Sequence, residues 1–341
     1  MYILGINAYH ADSSAAILKD GKLVAASEEE RFKRIKHWAG FPSEAIAFCL
    51  REAGIPLSQV EHIAIGRNPY AKLSKKLLFL LLNPVGSWNA ITDRFHNSKK
   101  VLAVKDEFLL IDSGIDNREF KKKIHQVEHH RSHLASAFFA SPFRTSALLS
   151  IDGSGDFTTT MTGVGVDNKI EVSKSIDFPH SVGIFYTAFT QWLGFPHYGD
   201  EYKLMGLAPY GEPKHTQQLH DVLLFKENGL FGVNLKYFRS ATSGIISYGE
   251  DHIPKVAPLY SEHLVEKFGP ARKVEEPLSQ YHKDMAASVQ RITEELIFHI
   301  ANSIQKETGL ENLCIAGGVA QNSVANGKLT RNTTFKNIYI P

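Results

Sequence analysis

The sequence predicts an α/β protein in which one architectural unit occurs twice, and three observations carry that prediction. Three short apolar segments joined by polar turns open the chain, the same order returns from Ser146, and each run is followed by a helical pattern and a further strand pattern. In the first run, strand Tyr2 to Ile6 leads through the polar turn Asn7 to Ser14 into strand Ala15 to Leu18, and the Asp20-Gly21 turn leads into strand Lys22 to Ala26. Pro42 to Ala53 then places Ala45, Ile46, Cys49, Leu50 and Ala53 at helical spacing, with proline near its start and Gly54 past its end. Strand Val60 to Ile65 follows. The second run has strand Ala147 to Ile151, a Gly-rich acidic turn Asp152 to Asp156, strand Thr158 to Val166, the Asp167-Asn168 turn and strand Ile170 to Ser173. Helices are expected at Ser181 to Leu193 and Tyr281 to Thr308, and strands at Asn312 to Ala316 and Ile338 to Ile340.

A length of 341 residues suits two domains, expected over residues 1–143 and 144–341. Periodicity fades at about 212–280, where Pro254, Pro258, Pro270 and Pro277 interrupt it. This segment reads as an irregular insertion laid over a cleft, where substrate selection could reside. Two such units packed face to face suggest the duplicated actin-like ATPase and ribonuclease-H-like superfold, with a nucleotide in the cleft between them. No helix follows the last strand before Pro341, so the second half is expected to be incomplete at its C-terminus.

Composition narrows the function classes. Thirty-eight basic against 36 acidic side chains leave a net charge of +2, so no global field favours nucleic acid or an anionic membrane. Two cysteines exclude a disulfide framework and a thiolate metal cage, and both read as small buried hydrophobes. The N-terminus runs directly into a strand pattern without signal-peptide features, which leads to an expectation of a cytoplasmic protein. Leu77 to Leu82 is apolar but far short of the ~20 residues that span a bilayer; it reads as a buried helix segment or a partner-facing patch.

The densest chemical signal is His129-His130-Arg131-Ser132-His133, a helical pattern in which His129 and His133 stand one turn apart on one face and could share a divalent metal. The competing reading is a partly buried helix start with histidines bonded to backbone. Asp152 favours the metal, because it ends an apolar strand where a carboxylate without a cation or donor partner is costly. Gly153 and Gly155 belong to a turn that could wrap backbone amides around a phosphate, or simply form a tight hairpin. Gly317 and Gly318 follow a buried strand and precede a helix expected from about Ala320 to Lys328, where an anion could approach and Asn322 could bond a ribose or phosphoryl oxygen; a plain strand-to-helix turn is the competing account. The Asn7 to Ser14 turn, with His10, Asp12 and Ser13, looks ligand-facing. Glu28 to His37 reads as a solvated helix face, with Lys36 as the exception, and the run Gly199 to Gly211 as a loop serving a site or an Ω-type loop.

Read in order, six segments resemble one family. They are Gly-Ile-Asn-Ala-Tyr-His-Ala-Asp-Ser-Ser-Ala, Glu-Glu-Arg-Phe-Lys-Arg-Ile-Lys-His, the double-His helix, Asp-Gly-Ser-Gly-Asp, Lys-Leu-Met-Gly-Leu-Ala-Pro-Tyr-Gly and Gly-Gly-Val-Ala-Gln-Asn-Ser-Val-Ala-Asn-Gly-Lys. The family is that of the O-carbamoyltransferases of nodulation-factor and antibiotic biosynthesis, and the resemblance covers essentially the whole chain. It implies that carbamoyl phosphate and ATP give a carbamoyl-adenylate, whose carbamoyl group passes to a hydroxyl of a sugar or other small metabolite. It implies Fe(II) or another divalent metal at His129, His133 and Asp152; Mg2+ is a further candidate cofactor. By the same resemblance His10 and Lys36 match positions near the carbamoyl-adenylate, and Gly317, Gly318 and Asn322 match its nucleotide cradle. The family also places a metal-binding Asp in a Gly-Asp-x-Gly segment beyond the last strand here, and adenylate formation in a C-terminal domain absent from this sequence. The alternatives are a related tRNA threonylcarbamoyl-type or sugar-kinase-like enzyme, and a truncated, non-catalytic nucleotide- and metal-binding module.

Overall fold

A computed structural model describes residues 1–82, 104–111, 117–243, 245–249 and 251–341. The chain divides into two units: residues 1–129 with 246–255, and residues 130–245 with 256–341.

In the first unit the alternating segments fold as expected into strands β1 (Tyr2–Asn7), β2 (Ser14–Lys19) and β3 (Lys22–Glu28), followed by β4 (His62–Ile65) and β5 (Ile124–Gln126). The sheet order is β3-β2-β1-β4-β5; β1 pairs antiparallel with β2 and parallel with β4. The helix Ser43–Ala53 buries Ala45, Ile46, Cys49 and Leu50, and these join Leu4, Ile6, Ile17, Ile63, Phe108 and Phe120 in one core. The helix ends at Gly54, whose left-handed φ of 67° lets its amide reach back to the Arg51 and Leu50 carbonyls. Its N-terminus is held from a distance. Glu29, fully buried, accepts from the amides of Glu44 at 3.2 Å and Ala45 at 2.8 Å, placing a carboxylate against the positive end of the helix. The Glu28–His37 run is therefore not a solvated helix face: only Glu30–Lys33 is helical, and Glu29 points inward.

The second unit repeats the plan with β6 (Thr145–Gly155), β7 (Thr158–Val166), β8 (Lys169–Asp177), β13 (Asn312–Ala316) and β14 (Asn337–Tyr339), in the order β14-β13-β6-β7-β8. Counted within each unit, both sheets read 3-2-1-4-5, with an antiparallel meander on one side and parallel strands on the other. This duplicated topology is the actin-like, ribonuclease-H-like fold. The helix Val182–Trp192 starts at Ser181, whose hydroxyl accepts from the Ile184 amide, and the 29-residue helix Gln280–Thr308 is the long core helix that the sequence implies.

Several boundaries differ from expectation for local reasons. The division falls at His129 rather than residue 143, because Leu134, Ala137 and Phe138 of the helix His129–Ala140 pack on Leu148, Met161 and Cys314. The insertion at 212–280 is not wholly irregular: it holds the pairs β9 (Leu223–Phe225) with β10 (Phe231–Val233) and β11 (Ile246–Tyr248) with β12 (Pro254–Val256), and the helix Glu262–Phe268. Strands of three residues leave almost no period to detect. The helix expected from Ala320 to Lys328 is broken into one-turn pieces at Val319–Gln321, Ser323–Asn326 and Leu329–Asn332. Leu77, Leu78, Leu81 and Leu82 lie on the helix Leu73–Leu82, which has no buried residue, so the buried alternative for this segment is excluded. No helix among the described residues is long and apolar enough to cross a membrane. Cys49 and Cys314 are free and buried.

Candidate metal centre

His129 opens the helix His129–Ala140. One turn later on that helix stands His133, and β6 brings up Asp152. Ligand atoms of these three residues all lie within 4.8 Å of one another. His133 Nε2 stands 3.2 Å from Asp152 Oδ2, and each of the three side chains is half-buried. The intervening His130 points the other way: it is fully buried, with Nδ1 2.8 Å from Ser150 Oγ and Nε2 3.0 Å from the Thr158 carbonyl. A carbonyl can only accept, so Nε2 carries the proton and Nδ1 of the neutral ring takes the Ser150 hydroxyl. The competing sequence reading, a buried histidine bonded to backbone, is thus met by His130, while His129 and His133 converge with Asp152.

The donor set fits a divalent cation. Two imidazoles and one carboxylate suit Fe(II), Zn2+ and similar ions, and the carboxylate is oriented from behind. Asp152 Oδ1 accepts from the amides of Gly153 at 2.7 Å and Gly318 at 3.2 Å, which leaves Oδ2 on the imidazole side.

This geometry reassigns the two Gly-rich segments. β6 continues through Asp152 to Gly155, which pairs with Thr158, so Asp152 to Asp156 runs along a strand into a tight hairpin and is not a wrapped phosphate loop. Gly317, at φ +104°, and Gly318 do not open onto empty space. A Cβ on Gly317 would collide with the Ile151 carbonyl, and one on Gly318 would lie 2.8 Å from Asp152 Oδ1. These glycines let the end of β13 press against the end of β6, which seats the Gly318 amide on Asp152. Asn322 is also committed within the protein. Its Oδ1 accepts from the Ala325 amide at 3.0 Å as a helix cap, its Nδ2 donates to Gln290 Oε1 at 2.9 Å, and the residue is buried. The expected ribose or phosphoryl contact of Asn322 is replaced by this internal pairing.

In the first unit, His10 is half-buried with Nδ1 3.2 Å from the Ala11 carbonyl, and its ring centre is 5.8 Å from that of His129. Asp12 does not face a ligand through both oxygens, since Oδ1 is 2.8 Å from His37 Nδ1. Asp12, Glu30 and His37 form a second convergent group of donors within 4.8 Å. Ser13 is buried and spends both its amide and its hydroxyl on the Trp38 carbonyl, at 3.0 and 2.8 Å, so the cofactor role expected of it is replaced by a structural one. Lys36 is exposed. The Gly199 to Gly211 run forms the helix Glu201–Leu207, tied down by the Asp200–Lys203 ion pair at 2.6 Å and a Thr187 hydroxyl donating to Glu201 at 2.5 Å.

Fold and donor set together define the class as a duplicated actin-like protein with a convergent histidine–carboxylate group. The family whose model matches residues 2–341 is described as the carbamoyltransferase N-terminus. The chain belongs to the carbamoyltransferase family and corresponds to its N-terminal region. An uncharacterized protein of Synechocystis, sll1178, is 42% identical over 99% of this chain and 54% of its own length. Nodulation protein NolNO of Sinorhizobium fredii is 31% identical over 98% of this chain and 44% of its own. The chain thus spans about half the length of the curated relatives it matches.

Proposed function

We propose that this chain carries out the transfer step of an O-carbamoyltransferase. The carbamoyl group moves from carbamoyl-adenylate to a hydroxyl of a sugar or other small metabolite: the hydroxyl oxygen bonds to the carbamoyl carbon, the carbon–phosphoryl-oxygen bond breaks, AMP leaves, and the hydroxyl proton passes to a base. The adenylate itself would come from carbamoyl phosphate and ATP on a C-terminal adenylate-forming domain. The single observation that carries the reading is the convergence of His129, His133 and Asp152 in a member of the carbamoyltransferase family.

A divalent cation held by those three residues would supply Lewis acidity toward the carbamoyl carbonyl. The protein's own groups do the rest. His10 Nδ1 faces a carbonyl acceptor, so its proton sits on Nδ1 in the neutral ring and Nε2 keeps a lone pair for the acceptor's proton. The Lys36 ammonium, being exposed, is available to a phosphoryl group. Gly153 and Gly318 amides fix Asp152 and so hold the carboxylate against the loss of geometry that would misplace the carbonyl.

The test supplies carbamoyl-adenylate with a panel of hydroxyl acceptors and follows AMP and carbamate by mass spectrometry. AMP and a carbamate ester should appear together, and His133→Ala should lose both along with its bound metal. No AMP release by the metal-loaded protein with any acceptor defeats the reading.

A further inference from the structure

The hairpin of β11 and β12 belongs to the second unit in sequence and to the first in packing, since residues 246–255 group with residues 1–129 while the chain on either side groups with the second unit. Such a detour orders about ten residues, at roughly 1–2 kcal/mol of backbone entropy each, and is kept only if its contacts repay that ordering. Its contacts fall on two segments. The Ala39 amide donates to the His252 carbonyl at 2.9 Å, and the His252 ring lies 4.5 Å from the Trp38 ring. Tyr248 is half-buried, and its phenol lies beside the Ala11 backbone and the Arg67 guanidinium. Arg67 in turn donates to the Tyr9 carbonyl at 3.4 Å.

Those two segments are one assembly. The Tyr9 amide donates to Gly40, and Ser13 donates twice to Trp38. Asp12 and His37 both hold a left-handed backbone, at φ 60° each, and are joined side chain to side chain at 2.8 Å. Non-glycine residues in that region are strained and persist where surrounding contacts over-determine them. The hairpin supplies part of that determination: Tyr248 lies against the residue before Asp12, and His252 packs its ring at a tilt on the residue after His37 and holds the next amide with its carbonyl. His10 lies in the turn so fixed.

We infer that the Ile246–Val256 hairpin is a clamp, and that Tyr248 and His252 are positioning residues that set the His10-bearing turn. The clamp stands on the His252 contacts and on the bonds that join the two segments; its kinetic consequence rests on the carbamoyl-transfer reading.

The experiment compares wild type with Tyr248→Phe, which removes only the hydroxyl, and with Tyr248→Phe/His252→Ala. Hydrogen exchange is followed over residues 8–14 and 37–41, with β6 as an internal control, and kcat and KM for carbamoyl-adenylate are measured on the same samples. Loss of the hydroxyl beside Ala11 should speed exchange at 8–14 by about three- to tenfold, more in the double variant, with β6 unchanged. kcat should fall by about tenfold for a misplaced base while KM holds. Unchanged exchange at 8–14 in both variants overturns the clamp. Faster exchange with kcat and KM both unaltered overturns the positioning role, reducing the hairpin to a brace. If wild type transfers no carbamoyl group, the functional reading fails separately and the exchange result alone decides the clamp.

Discussion

Asp152 divides its carboxylate between two kinds of partner, and the division sets what its variants should do. Oδ1 serves two backbone amides, and Oδ2 faces His133. Asp152→Asn keeps the shape and can still offer its amide oxygen to Gly153 and Gly318, so its NH2 turns toward the cation. Cation affinity, read by calorimetric titration with Zn2+, should drop by about a hundredfold or more, at or beyond the ~10–100-fold that loss of an outer-shell partner brings, with the fold intact; equal affinity would remove Asp152 from the site. His130 predicts the opposite pattern. His130→Ala strips buried Ser150 and Thr158 of their partner and should cost about 2–4 kcal/mol in denaturant unfolding while metal binding stays near wild type. Helical spacing alone distinguishes these histidines in the sequence, because residues four apart share a face and a neighbour is turned ~100° away. The fates of Gly317, Gly318, Ser13 and Asn322 were not legible there. What faces each of them comes from residues 25 to more than 160 positions distant, a carbonyl, an amide or a glutamine that no local pattern announces.

Elements in this fold are pinned at their ends by charged groups supplied from elsewhere. The long helix Gln280–Thr308 has Asp284 in its first turns, where Oδ1 accepts from the Glu212 amide at 2.9 Å and from Gln280 at 2.8 Å, and Oδ2 from Lys214 at 3.0 Å. The Glu212 amide above all, with Gln280 and then Lys214, holds this carboxyl down to about 2. A depressed pKa means that the native state binds the proton more weakly than the unfolded chain. The carboxylate's contribution to stability is therefore whole above about 4, the ordinary carboxylate value, and is lost as pH falls toward about 2. Asp284→Asn should unfold with a flatter pH dependence than wild type across that window in urea titrations, and parallel curves would show that Asp284 does not carry the acid sensitivity. Glu29 does similar work at the helix Ser43–Ala53. Neither link could be read from the sequence, since Glu29 sits in a charged run that resembles a solvated face. The strands and main helices were readable where alternation or a three-and-four stripe persisted for five residues or more, as in Asn312–Ala316, found at its expected bounds. Three-residue β5 and the insertion's small strands fell below that threshold, whereas β14, equally short, is read one residue late, at Ile338 to Ile340.

At the scale of the whole molecule, an ion that binds the native protein and not the unfolded chain adds stability by mass action, about 2.7 kcal/mol at a hundredfold excess over Kd. The donors stand on the helix His129–Ala140 and on β6, and His133 and Asp152 belong to the second unit. Unfolding of that unit should therefore shift upward on adding Fe(II) under anaerobic conditions or Zn2+, by roughly 5–10 °C for an element of its size, with β6 amides as the probe. His133→Ala should abolish the shift. The group Asp12, Glu30 and His37 offers an internal competitor, because all three of its donors lie in the first unit. An ion seated there would protect β1 and β2 amides and leave β6 as it was. Protection confined to β1 and β2, or an equal shift in wild type and His133→Ala, would move the cation from the histidine helix to the first-unit group and take the chemistry proposed above with it.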